Sequence, residues 1–325
     1  MALDKLELFK KLFSNEQLIS VKEMEGADNH ILEINNEWIC KSSKTKELET
    51  KIQLEAKLLK LLEGKLKTRI PIVKYYEQNV LIYKKISGIE LTIDFYNKLS
   101  QKQKEKLAYD IAYFLHEFHN ALNAEESKKL DLTKTDWPWS PAKLLQEVYL
   151  IEDIELQEIF KSFIKDYEQI RHEYTAKLIH NDLKPENIII DQKTGDLSGI
   201  IDFTDVAIDD PYLDLRMRYS GIPKFVESIA KEYAKLSGKI INRSLSKLNF
   251  TRTRMDSTSS PRALVPSSVE GFEQFQKKSK YQKIYIYYMA TEFSRYLEMK
   301  KEHKIGNLET IKERIVNNLK YLRES

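Results

Sequence analysis

The chain is 325 residues long, 42% hydrophobic and 32% charged, with a formal net charge of +3. That length can bury a large core or two abutting ones, and so mild a charge, with lysines spread throughout, leaves no basic footprint for nucleic acid. The single cysteine, Cys40, excludes an internal disulfide, and no run reaches the roughly 18 uncharged apolar residues of a membrane span, so a cytoplasmic protein is expected.

In chain order, residues 1–13 place Leu3, Leu6, Phe9 and Leu12 around Asp4 and Glu7, which predicts an amphipathic helix and not the unbroken apolar stretch of a signal peptide. From Val21 to Cys40 apolar and polar positions alternate around Gly26-Ala27-Asp28-Asn29-His30, predicting two strands joined by a phosphate-covering turn. The run Ile52 to Leu59 is amphipathic, and Gln101 to Leu122 is helical by apolar spacing. His116 and His119 have the spacing of a metal pair, but they share the periodicity of Leu107, Ile111, Phe114, Leu115 and Phe118 with no third ligand nearby, so they are assigned to packing. After the break Trp137-Pro138-Trp139-Ser140-Pro141, residues 142–174 predict one or two helices, and Phe225–Leu236, Lys280–Met299 and Leu308–Leu322 continue the helical pattern. Between them, residues 242–270 turn polar and proline-bearing, with Arg252, Arg254, Pro261, Arg262 and Pro266. Such a stretch buries too little apolar surface to order itself and is expected to be a flexible insertion.

The chemistry concentrates in His180-Asn181-Asp182-Leu183-Lys184-Pro185-Glu186-Asn187, followed by Asp202 in Ile200-Ile201-Asp202-Phe203. An Asp able to accept a hydroxyl proton stands five residues before an Asn, on a loop entered and left by apolar strands. Asp191-Gln192-Lys193-Thr194-Gly195-Asp196 predicts the hairpin turn that carries Asp202 back beside Asn187. A base and two hard oxygen ligands suit phosphoryl transfer, where the protein positions the nucleophile and Mg²⁺ neutralises phosphate charge.

This stretch resembles the aminoglycoside phosphotransferase family, small-molecule kinases sharing the protein-kinase fold. Protein kinases follow Asp-Phe-Gly with a long activation segment closing on Ala-Pro-Glu. This chain instead has Asp202-Phe203-Thr204-Asp205, then Asp210-Pro211-Tyr212-Leu213-Asp214-Leu215, with no room for that segment. The turn with Gly26, Asp28 and Asn29, the stretch Tyr83-Lys84-Lys85-Ile86-Ser87-Gly88 and His180-Asn181-Asp182 resemble the 2''-phosphorylating members in particular.

The resemblance implies an α+β, protein-kinase-like bilobal fold: a small β-rich N-lobe over residues 1–85 and a larger, mainly helical C-lobe over 86–325. It implies that Gly26 and Asn29 cover the nucleotide, that Lys41 binds its phosphates with Glu55 as partner, and that Tyr83, Lys84, Lys85 and Ile86 form the hinge holding the purine. Asp182 becomes the base, Lys184 a contact to the transferring phosphoryl, and Asn187 and Asp202 the Mg²⁺ ligands, with ATP or GTP as donor. His180 and Asp214 are expected to brace the loop. For the acceptor, a polycation calls for carboxylates, and Asn181, Asp205, Asp209 and Glu292 are the candidates, with Asp210 and Glu298 behind them. Arg216 and Arg218 oppose a polycation and point to the alternative, a kinase of a metabolic alcohol or amino alcohol. The 242–270 stretch resembles peptides encoded by palindromic repeat elements inserted into the genes of some intracellular bacteria; the alternative reading is a basic docking loop.

Overall fold

The computed structural model describes residues 2–26, 28–77, 79–171, 174–216, 222–238, 282–302 and 308–315. Arg218 and the expected insertion at 242–270 lie outside them. The chain divides into two compact units, one holding 1–134 and 177–214, the other 135–176 and 215–325.

The first unit opens with helix α1 (Ala2–Leu12), then strands β1 (Val21–Glu25), β2 (Asn29–Ile34) and β3 (Trp38–Ser43). Three strands stand where two were expected between Val21 and Cys40. The second turn, at Asn35 and Asn36, uses positive φ of 56° and 55°, which asparagine tolerates better than most residues. Asn35 also stitches the lead-in to β1, its Oδ1 accepting from the backbone N–H groups of Ile19 at 2.8 Å and Ser20 at 3.1 Å. Helix α2 (Glu49–Leu62) follows, then β4 (Val73–Glu77) and β5 (Val80–Lys84), completing an antiparallel sheet in the order β1-β2-β3-β5-β4.

Alternation along β3 sorts its side chains onto two faces. Trp38 and Cys40 join Phe9, Leu32, Ile34 and Ile82 on the α1 side, whereas Ile39 packs with Ile52, Ala56, Leu81 and Tyr83 on the α2 side. Each fully buried apolar side chain contributes about 1.5–3 kcal/mol. The same period of two turns Lys41 toward α2 and buries it mid-strand, not at a strand end.

A second sheet in this unit pairs β6 (Ile89–Glu90), β8 (Ile188–Ile190) and β9 (Leu197–Ile200) in the order β6-β8-β9, and β7 (Lys177–Ile179) pairs antiparallel with β10 (Ala207–Asp209). The β8–β9 hairpin turns at Asp191–Asp196 as expected, with Asp191 Oδ1 accepting from the N–H groups of Lys193 and Thr194, both at 2.8 Å. Short helices α3 (Ile93–Lys98) and α5 (Ala124–Lys129), which the sequence pattern did not predict, flank α4 (Gln101–His119). Helix α4 starts on a capping box between Ser100 and Gln103, a device worth about 1 kcal/mol, and presents Leu107, Ile111, Phe114, Leu115 and Phe118 to the core. Two glycines let backbones meet here. A Cβ on Gly199 would lie 2.6 Å from Arg69 O, and Gly88, at φ +141°, would bring one to 2.4 Å from Ile190 O.

The second unit is helical among its described residues: α6 (Pro141–Glu147), α7 (Ile154–Ile170), α8 (Pro223–Leu236) and α9 (Gln282–Lys301), with 308–315 also helical. A 3-10 turn at Val148–Leu150 divides α6 from α7. Phe163 and Tyr167 of α7 meet Phe293 and Tyr287 of α9, at ring-centroid distances of 4.9 and 6.1 Å. Asp166, on the same helix, is buried, and its Oδ2 has no hydrogen-bond partner among the described residues. No helix among the described residues is long and apolar enough to cross a membrane.

Candidate active site

All four elements that carry the site lie in the first unit: β3, α2, the loop between β7 and β8, and the segment after β9. Lys41 Nζ donates to Glu55 Oε2 at 2.8 Å, to Asp202 Oδ1 at 2.8 Å and to Thr204 Oγ1 at 2.7 Å. Glu55 reaches this point because Ile52 and Leu59, three and four residues away on α2, are buried on the same side of the helix. Its Oε1 accepts from the Phe203 N–H at 3.1 Å, which fixes the turn that follows Asp202. Asp202 itself sits at φ +66°, a left-handed conformation that aims its side chain at Lys41.

The electrostatics follow from burial. Desolvation opposes charge on Lys41, but Glu55 and Asp202 outweigh it and hold the ammonium well above its ordinary range. Desolvation likewise opposes ionisation of Asp202, and Lys41 overrides it, with help from the Thr204 hydroxyl, so this carboxyl titrates far below the usual carboxylate range. For fully buried Glu55 desolvation dominates and pushes the carboxyl up against the pull of Lys41.

The loop after β7 is shaped from outside. Asp214, fully enclosed in a 3-10 turn at Pro211–Arg216, accepts from the N–H of His180 at 2.8 Å and of Asn181 at 2.6 Å, while His119 Nε2 lies 3.0 Å from its Oδ2. Burial alone would raise this carboxyl; the bonds from His119 and His180 outweigh it and hold it below its ordinary range. His119 is therefore engaged by a carboxylate. The His180 ring, tilted at 50° against Phe203, approaches Ile201 O through Nε2 at 3.1 Å, so that nitrogen bears the hydrogen.

Within the loop, Asp182 Oδ2 accepts from Lys184 Nζ at 2.6 Å and from Asn187 Nδ2 at 3.2 Å, and Asn187 Nδ2 also reaches Asp182 O at 2.8 Å. Asp182 Oδ1 has no partner among the described residues. The Asn187 amide nitrogen is spent on Asp182, and among the described residues its Oδ1 and Asp202 Oδ2 are left over. The two residues are adjacent through the backbone bond from Ile201 N to Asn187 O at 3.0 Å. Two hard oxygens, one just before β8 and one just after β9, fit a small divalent cation such as Mg²⁺. Among the described residues no group of three or more His, Cys, Asp or Glu forms another candidate.

The remaining sequence candidates separate. Gly26 N donates to Asn29 O at 3.0 Å, closing the β1–β2 turn, and Asn29 is buried with its Oδ1 unpartnered among the described residues, which suits a nucleotide contact. Tyr83 is buried on the α2 face, while Lys84 extends over the Trp38 ring. Lys85 is spoken for, its Nζ bound by Glu33 and Asn36 and its N–H by Glu37 O at 2.7 Å. Ile86 packs against Gly199. Asp205 is half-exposed and pairs at 2.7 Å with Lys51, which also approaches Asp28 at 3.3 Å. Asn181 adopts φ +66°. Two carboxylates expected to face an acceptor do not offer themselves to a solute. Asp209 is fully enclosed, with Oδ1 accepting from Asp210 N at 2.7 Å, and Asp210 is equally enclosed. Glu292, in the second unit, is 2% exposed and bound by Arg295 at 3.2 Å. Thr204, which no motif reading singled out, is the residue the structure adds.

Fold and site together define a phosphotransferase of the protein-kinase-like class. A sequence model of the phosphotransferase enzyme family matches residues 23–247, and the chain belongs to that family. Aminoglycoside 2'-phosphotransferase-IIIa, solved with GDP, is 20% identical and superposes with a TM-score of 0.74 over 99% of this chain and 98% of its own. The streptomycin-ATP ternary complex of APH(2")-IIa is 29% identical with a TM-score of 0.55, covering 70% of this chain and 83% of that one. Macrolide 2'-phosphotransferase type I is 15% identical with a TM-score of 0.62, over 97% and 98% of the two chains. The protein is thus an enzyme, a small-molecule kinase that moves a phosphoryl group from a nucleotide to a hydroxyl.

Proposed function

We propose that the enzyme transfers the γ-phosphoryl of ATP or GTP to a hydroxyl of an amino-bearing small molecule of the aminoglycoside kind. The observation that carries this reading is the convergence of Lys41, Glu55 and Asp202 beside a loop whose base candidate keeps one oxygen open.

Lys41, charged at any physiological pH, would grip the nucleotide phosphates, with Glu55 fixing its position. The β1–β2 turn, through Gly26 and the buried Asn29, would cover them. We assign the purine to the backbone around Tyr83, Lys84 and Ile86, at the boundary between a nucleotide-covering lobe at 1–85 and the rest of the chain at 86–325. The Lys85 side chain pairs with Glu33, and its backbone belongs to the same stretch.

Asp182, anchored through Oδ2, presents Oδ1 to the acceptor hydroxyl and takes its proton as the new O–P bond forms and the bond to the β,γ-bridging oxygen breaks. Lys184, paired with Asp182, stands to follow the charge of the transferring group. Asn187 Oδ1 and Asp202 Oδ2 would hold Mg²⁺, which when bound supplies charge neutralisation across the phosphates. The enzyme is assigned to the cytoplasm, where both nucleotides occur.

Asp205 and Asn181 remain the acceptor-side candidates. A second reading, a kinase of a small amino alcohol, is favoured by the enclosure of Asp209 and Glu292 and by the Lys51 pairing, which together leave less open negative charge than a polycation requires. Nucleotide turnover with ATP and with GTP, across aminoglycosides, macrolides, choline-like amines and homoserine-like alcohols, separates the two. Stimulation by an aminoglycoside supports the first, stimulation by a small alcohol alone supports the second, and no stimulation by any hydroxyl compound would count against both.

A further inference from the structure

The Lys41 ammonium has three hydrogens and three acceptors within 2.8 Å, so it is saturated by the protein. One of those acceptors, Thr204, is a hydroxyl with a hydrogen of its own to place. It lies 2.5 Å from Asp202 Oδ1 and 3.4 Å from Glu55 Oε2, and the shorter contact falls in the range of a strong hydrogen bond to a carboxylate. At 6% exposure Thr204 is buried. Asp202 Oδ1 therefore receives two bonds, from Lys41 and Thr204, and the carboxylate is pinned in one rotamer with Oδ2 directed away from the cluster. The Asp202 side chain is 37% exposed while those of Lys41 and Glu55 are 3% and 0% exposed, so the open oxygen is the one turned outward.

We infer that Thr204 is a positioning residue for the divalent-ion site, acting through Asp202. Protein kinases carry glycine at this place in Asp-Phe-Gly, where no hydroxyl exists to do this work. Here the hydroxyl holds Asp202 Oδ1 against Lys41, so that Oδ2 is presented to the ion without a rotamer search. It also occupies the third hydrogen of Lys41, the one a phosphate oxygen can claim at least cost because the displaced partner is neutral. The inference rests on the assignment of Asp202 as an ion ligand, and the experiment is arranged so that the two can fail separately.

Mn²⁺ serves as the probe, with free ion counted by paramagnetic resonance during titration of the intact protein in saturating ADP. Thr204→Val keeps the shape and removes the hydroxyl; Thr204→Ser restores it; Asp202→Asn is the control. Thr204→Val is expected to weaken Mn²⁺ binding about ten- to hundredfold, the usual effect of removing a partner that orients a ligand, and Thr204→Ser to stay within about threefold of the parent. The Mg²⁺ concentration giving half-maximal turnover should move by the same factor. Parent-like Mn²⁺ affinity in Thr204→Val, alongside its loss in Asp202→Asn, overturns the role of Thr204 alone. Parent-like affinity in Asp202→Asn overturns the ion site itself. Equal weakening in the Ser and Val variants, with equal losses of melting temperature, would mark a packing role and also overturn the inference. If Thr204→Val does not fold, Thr204→Ala carries the same comparison.

Discussion

Asp166 is a carboxyl enclosed on α7 with no hydrogen-bond partner for Oδ2 among the described residues, and burial pushes it from an ordinary 3.8 up to about 7. Replacing it with asparagine removes the titration and keeps the shape. A midpoint raised this far means that the folded protein holds a proton the unfolded chain has already released. Stability from this site is full below about pH 4, falls as pH rises, and is lost above about pH 7, where ionisation costs at most about 4 kcal/mol. Asp166→Asn should therefore be more stable than the parent at pH 8, and its advantage should shrink by roughly 2–3 kcal/mol on going down to pH 5. Urea unfolding of both proteins at half-unit pH steps measures that difference directly, and every other titrating group cancels between them. An advantage that stays constant across this range, or that grows toward acid, would refute the reasoning.

Other expectations concern the site and its frame. Asp182→Ala should lose about 10²–10⁴-fold in turnover while binding nucleotide as the parent does, checked by single-turnover kinetics beside a nucleotide titration. Lys41→Met should cost about 3–5 kcal/mol, because Glu55 is left buried without its cation. That cost should be smaller at pH 5, where Glu55 can take a proton, than at pH 8, and thermal unfolding at the two values tests it. Gly199→Ala should destabilise by about 1–3 kcal/mol through the clash with Arg69 O, and a variant as stable as the parent in urea would show that the hairpin gives way freely.

Much of the site was legible because its residues come in a fixed order on elements with clear periods. The alternation of Trp38, Ile39, Cys40 and Lys41 puts the lysine on the face opposite the α1 core, and Glu55 lies on the same helical stripe as Ile52 and Ala56. The hairpin at Asp191–Asp196 is written in turn-forming residues. The turn at Asn35 and Asn36 was missed because the apolar alternation runs on through it from Leu32 and Ile34 to Trp38. Asp209 and Glu292 misled for another reason. A carboxylate's identity is in the sequence, but which way it faces depends on partners such as the Asp210 amide and Arg295, and these are set only once the backbone is folded. Thr204 was invisible because a threonine after an apolar strand has many uses, and its value here comes from three groups brought together from α2, β3 and its own turn. The pairing of β6 with β8, a hundred residues apart, left no local trace at all.

The loop that carries Asp182 is not held by its internal bonds alone. Its first two amides are fastened by Asp214, a residue that follows β10 and contributes no side chain to the cluster around Lys41. An anchor outside the loop frees the positions inside it. Side chains that meet the acceptor can then change over evolutionary time without disturbing where the base stands. A scaffold arranged in this way lets the choice of substrate drift while the chemistry stays constant.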